Sequence, residues 1–122
     1  MPDPVVLVVD DDLPIRNLMQ NLLKEFRFQP VTAGSGEEAL AAVRARRPDV
    51  VLLDLHMPGM SGEETLAALR SETGLETTPV VLLTGEPVSD SQLASLGVWA
   101  AIQKPFDLPK LIELIRRAAG NE

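Results

Sequence analysis

The sequence predicts an α/β fold: a doubly wound, three-layer sandwich with a five-stranded parallel sheet at its centre. Three observations carry that expectation. Five short apolar segments recur along the 122 residues, and three of them are unbroken runs dominated by Val and Leu, as expected of strands buried on both faces. Between them, apolar residues fall three and four apart, the spacing of helices that bury one side. Each strand is also followed by a Ser or Asp placed to cap a helix. No linker, low-complexity tract or internal repeat interrupts the alternation. One domain is therefore expected over 1–122, with its core at about 4–119.

The first strand is VVLVV (5–9), which runs into Asp10-Asp11-Asp12. Asp12-Leu13-Pro14 reads as an acidic N-cap with proline in the first turn. The helix that follows carries Ile15, Leu18, Met19, Leu22, Leu23 and Phe26 as one stripe. QPVTA (29–33) is the second strand. Ser35-Gly36-Glu37-Glu38 then fits a capping box, with Ser at the N-cap and Glu three residues on, ahead of Ala39, Leu40 and Val43. DVVLLD (49–54) is the third strand, and Ser61 with Glu64 forms a second box before Leu66 and Leu69. PVVLLT (79–84) is the fourth. The helix after it should be short, beginning near Ser89 with Gln92 completing its box. WAAIQK (99–104) is the fifth strand. Asp107-Leu108-Pro109 repeats the acidic helix start, and Leu111, Leu114 and Ile115 mark the last helix.

Composition narrows the function. With 18 acids against 11 bases the net charge is −7, which argues against nonspecific binding to nucleic acid or to an anionic membrane. Arg44, Arg46, Arg47, Arg116 and Arg117 fall late in helices and are expected to complement the helix dipoles from a solvated face. The absence of cysteine excludes disulfides and thiolate metal sites. MPDPVVLVVDDD has no basic region and only a short apolar run, so neither a signal peptide nor a membrane span is expected and a cytoplasmic location is.

The chemistry lies at the strand ends. Open parallel sheets bind ligands outside the carboxyl ends of their strands. Here those ends carry Asp10-Asp11-Asp12, Asp54, Thr84 and Lys104-Pro105. Crowded carboxylates repel, and a cation is the natural compensation. Hard carboxylate oxygens suit Mg²⁺, Lys and Thr suit phosphoryl oxygens, and an aspartate can itself be the nucleophile. The inventory points to phosphoryl transfer. Each residue has a plainer reading: Asp12 as a helix cap, Asp10 and Asp11 as surface acids, Asp54 as a turn cap. Four strand ends supplying one consistent set outweigh those readings. His56 is the only histidine. One imidazole makes no metal site without acidic help, so it is read as a rim residue that tunes water access.

Asp10-Asp11 after LVV, Asp54 within VVLLDLHMPGMSG, Thr84 in VVLLTG, and Lys104-Pro105-Phe106 together resemble the receiver domain of two-component response regulators, from end to end. The resemblance implies a flavodoxin-like strand order, 2-1-3-4-5. It implies that Asp54 accepts a phosphoryl group from a histidine kinase or phosphotransfer protein. Asp11, Asp54 and the backbone carbonyl of His56 would ligate Mg²⁺, with Asp10 acting in the same cluster, mainly through a water. Lys104 would pair with the phosphoryl oxygens, Thr84 would move to hydrogen-bond the phosphate, and the Lys104–Pro105 bond would be cis. A signalling module that assists its own phosphorylation and dephosphorylation is implied, rather than an enzyme. Its downstream effector is left open, and the face of helix four, strand five and helix five is available for a homodimer.

The sequence departs from that family in two places. Ala101 stands where an aromatic is usual, and the segment from Thr84 to Gly97 is short and contains Pro87. The output step is therefore expected to differ. Trp99 faces the same side of its strand as Ala101 by alternation. It is either a partner anchor or a filler of the space left by Ala100 and Ala101. Other functions fit less well. Asp10-x-Asp12 imitates the acid pair of a haloacid-dehalogenase-type phosphohydrolase, but only Asp107 follows the lysine where a second acidic pair is needed. A flavin site lacks its phosphate loop, and DDDLP would repel the flavin phosphate. An inactive pseudo-receiver used for docking would have no need of the retained acids.

Overall fold

The structure is a computed structural model that describes residues 3–72 and 74–120. Strands and helices alternate strictly: β1 (Val5–Val9), α1 (Leu13–Glu25), β2 (Gln29–Ala33), α2 (Gly36–Ala45), β3 (Val50–Asp54), α3 (Gly62–Ser71), β4 (Val80–Thr84), α4 (Asp90–Leu96), β5 (Ala100–Gln103) and α5 (Leu108–Gly120). The five strands are parallel in the order β2-β1-β3-β4-β5, as the resemblance implied. Asp49, Pro79, Trp99 and Lys104 fall just outside the strands that the sequence reading gave them.

The unbroken apolar runs are explained by the two layers of helices. Side chains alternate across a strand, so Val6, Val8, Leu52 and Leu83 face α1 and α5 and pack on Met19, Leu23, Leu111 and Ile115. Leu7, Val9, Leu53 and Leu82 face the other way, onto Ala39, Val43, Leu66 and Leu69. Full burial of one such side chain contributes about 1.5–3 kcal/mol.

The α1 stripe is narrower than expected. Met19 and Leu23 are fully buried, Ile15 and Leu22 partly, whereas Leu18 is 45% and Phe26 37% exposed. A helix lying on a flat sheet buries an arc narrower than those six positions span. The Arg116 guanidinium covers the Phe26 ring at 5.6 Å. Arg117 stands 6.0 Å over Trp99, Arg44 makes two 3.1 Å hydrogen bonds to Glu72, and Arg46 bonds Gln29. These arginines are therefore engaged with neighbouring side chains. Trp99 is 42% exposed.

Helix starts follow the predicted chemistry, with one exception. Asp12 accepts the Ile15 N–H at 3.3 Å, and Asp107 that of Lys110 at 3.2 Å. The boxes at Ser61 and Ser89 are closed in both directions. At Ser35 the box is open, because Glu38 Oε1 reaches past the cap to the Gly34 N–H at 2.6 Å. Among the described residues no helix is long and apolar enough to cross a membrane.

Candidate functional site

Parallel register brings the C-terminal ends of β1, β3, β4 and β5 to one edge of the sheet. Asp10, directly after β1, is fully buried, and Asp54, the last residue of β3, is 5% exposed. Asp11 is exposed. One carboxylate oxygen from each of Asp10, Asp11 and Asp54 lies within 4.8 Å of the others. Lys104 Nζ stands 3.3 Å from Asp10 Oδ2 and 3.6 Å from Asp54 Oδ2.

Both buried acids divide their oxygens in the same way. Asp10 Oδ1 accepts the N–H of Asp12 and Asp54 Oδ1 that of His56, each at 3.0 Å. These bonds, reaching two residues ahead, turn the chain where each strand ends. They leave both Oδ2 atoms facing Lys104 and the crevice. The donor set, three carboxylates with hard oxygens, is of the class that holds a divalent cation.

Burial pushes the Asp10 carboxyl above the usual aspartate range; the charge of Asp54 adds to this, while the Asp12 N–H and Lys104 oppose it. The folded state holds this proton more firmly than the unfolded chain, so the contribution is full below the ordinary aspartate value. It is lost as pH rises through the raised value. At neutral pH the ionised group is a cost to the metal-free fold. Asp10→Asn is therefore expected to raise the metal-free Tm at pH 7 and to lose that advantage below the ordinary aspartate value, about pH 4. Calorimetry at the two pH values checks this; a lower Tm at pH 7 would contradict it.

Thr84 is 3% exposed, and its hydroxyl donates to the Glu86 carbonyl at 2.9 Å and accepts the Glu86 N–H at 3.1 Å. Among the described residues no hydrogen bond joins that hydroxyl to the acid cluster. The His56 side chain is exposed at the rim. The Lys104–Pro105 bond is cis. Asp12 spends Oδ1 on its helix cap and stands outside the trio of acids. Ala101 packs as a small residue against the core on the α2 and α3 side.

Two residues gain roles that the sequence reading did not assign. A Cβ on Gly62 would lie 2.4 Å from Leu55 Cα and 2.7 Å from the Asp54 carbonyl oxygen, so this glycine lets α3 press against the chain just after Asp54. Arg16 donates from Nη1 to the Asp10 carbonyl at 2.8 Å. The available signal was a long cation four residues beyond the acidic cap.

A family model described as the response regulator receiver domain matches residues 6–116. The DNA-binding response regulator MtrA of Mycolicibacterium paratuberculosis is 37% identical over 115 residues, covering 91% of this chain and 49% of that protein. The chain thus spans about half the length of the first curated relatives it matches. Among solved structures, chemotaxis protein CheY4 of Vibrio cholerae superposes with a TM-score of 0.89 at 31% identity, over 95% of this chain and 98% of that one. Response regulator TrrA of Thermotoga maritima, in complex with Mg(2+)-BeF, gives 0.82 at 33% identity, over 94% and 98%.

Proposed function

The chain belongs to the response regulator receiver domain family, and on that premise we propose that it is a phosphorylation-switched signalling module with Asp54 as phosphoryl acceptor. One observation carries the reading: the Asp54 carboxylate, nearly buried, stands with Asp10 and Asp11 within 4.8 Å and has Lys104 at 3.6 Å. The donor is a histidine kinase or a histidine phosphotransfer protein. An Asp54 oxygen attacks phosphorus; the O–P bond forms as the P–N bond of the phosphohistidine breaks, and the imidazole takes up a proton. Water later attacks the same phosphorus, returning the carboxylate and releasing inorganic phosphate.

Asp11, Asp54 and the His56 carbonyl would hold Mg²⁺, with Asp10 supporting; the ion supplies positive charge against the phosphoryl oxygens. Lys104, which now bridges Asp10 and Asp54, would turn to a phosphoryl oxygen. For Thr84 to do the same, both of its bonds to Glu86 must break. That releases the loop leading into α4, a seven-residue helix with no buried residue and hence few contacts to hold it. The face of α4, β5 and α5, with exposed Trp99, is the surface we assign to an effector or a second copy. The module acts as one domain over 1–122, in the cytoplasm.

Incubation with acetyl phosphate tests the reading. Mg²⁺-dependent formation of a base-labile acyl phosphate is expected; no adduct at any Mg²⁺ concentration would overturn it. Trp99, the single tryptophan, reports the switch. Its backbone N–H donates to the Val80 carbonyl, four residues before Thr84 and so about 13 Å along the strand, out of reach of direct contact with the crevice. Its fluorescence should change when beryllofluoride is added with Mg²⁺, and not with Mg²⁺ alone. Equal responses would contradict a switch that reaches β5.

A further inference from the structure

We infer that Arg16 is the positioning residue for Asp11, holding the peptide from which that acid leaves the chain; the inference rests on the reading of Asp11 as a metal ligand. Among the described residues, no hydrogen bond or ion pair involves the Asp11 carboxylate, and the side chain is exposed. Yet its oxygen lies within 4.8 Å of two other carboxylates, where repulsion would drive it away. Its backbone must therefore hold it.

Arg16 brackets that backbone. Its guanidinium donates to the Asp10 carbonyl at 2.8 Å, and its own N–H donates to the Asp12 carbonyl at 3.0 Å. The Asp10 carbonyl and the Asp11 nitrogen belong to one planar unit, so fixing the oxygen fixes the plane. On the other side of Asp10, its N–H is held by the Ala33 carbonyl at 3.1 Å. Any residue at 16 would make the backbone bond as part of the helix. Only a long donor makes the other.

A second feature provides the berth. A Cβ on Gly34 would lie 2.8 Å from Arg16 Nη1 and 3.1 Å from Cζ. Gly34 has no left-handed φ to explain the glycine. What the missing side chain provides is room for the guanidinium at the end of β2.

Charge and position predict opposite signs. Removing a cation beside an acid cluster should tighten cation binding by Coulomb's law. Releasing the Asp11 peptide should weaken it, and outer groups that orient metal ligands typically change affinity by about tenfold or more.

Titration with Mg²⁺ alone, by calorimetry and by Tm against concentration, separates the two. Arg16→Met is expected to bind Mg²⁺ about tenfold more weakly. Gly34→Ala, which keeps the charge but displaces the guanidinium, should shift the same way. Asp11→Asn should bind weakly, and adding Arg16→Met to it should cost nothing further, because both act through one ligand. Wild-type or tighter binding in Arg16→Met overturns the inference, as does an undiminished Arg16 effect in the Asp11→Asn background. Should Arg16→Met fail to fold, Gly34→Ala decides, with wild-type affinity overturning the inference. If Asp11→Asn itself binds Mg²⁺ normally, the metal assignment has failed, and the Arg16 inference with it.

Discussion

Asp54→Asn is expected to abolish acyl-phosphate formation and leave the fold intact. An amide cannot form the mixed anhydride, so the loss is complete rather than graded. The fold survives because an amide oxygen can still accept the His56 N–H that Asp54 Oδ1 accepts at 3.0 Å. Lys104 also keeps its nearer partner, Asp10 Oδ2, at 3.3 Å. Removing one of three crowded carboxylates relieves repulsion, so the metal-free Tm should stay level or rise. Labelling with acetyl phosphate, followed by gel or mass analysis, measures the loss. Undiminished labelling of the variant would mean that another group is the acceptor.

Gly62→Ala is expected to lower stability more than any surface change near the site. Its Cβ would meet main-chain atoms, Leu55 Cα at 2.4 Å and the Asp54 carbonyl at 2.7 Å, and neither can swing aside as a side chain would. Overpacking of this kind costs about 1–3 kcal/mol, or about 5–15 °C in Tm for a domain of this size. Because the displaced atoms adjoin Asp54, Mg²⁺ affinity should fall as well. Gly85→Ala provides the contrast. Nothing lies within 4 Å of its added Cβ, so its stability should change by no more than about 0.5 kcal/mol. Equal Tm values for the two variants would contradict this reading of Gly62.

What was legible in the sequence divides along physical lines. The central strands were, because helices on both faces force continuous apolar runs such as VVLLD and VVLLT. Most helix starts were, because capping is local. The convergence of Asp10, Asp54 and Lys104 followed from parallel topology, which sends every strand's C-terminal end to one edge.

The rest depends on where side chains point once the layers have packed. Leu18 and Phe26 fit the helical spacing of α1, but periodicity does not say how wide an arc the sheet covers. Glu38 had two N–H groups within reach, and only the bend before α2 selects Gly34 over Ser35. Thr84 could be placed at the crevice, but its bonds to Glu86 lie in a turn without periodicity. The berth of Arg16 against Gly34 joins the ends of two strands through empty space, and no local pattern records an absent side chain.

Borohydride reduction of the phosphodonor-treated protein, followed by peptide mass spectrometry, reads the acceptor directly, because reduction converts an aspartyl phosphate to an alcohol at the residue that carried it. A Mg²⁺-dependent mark confined to Asp54 is the expected result. A mark on Asp10, Asp11 or another residue, or one that forms equally well in the presence of a chelator, would contradict it.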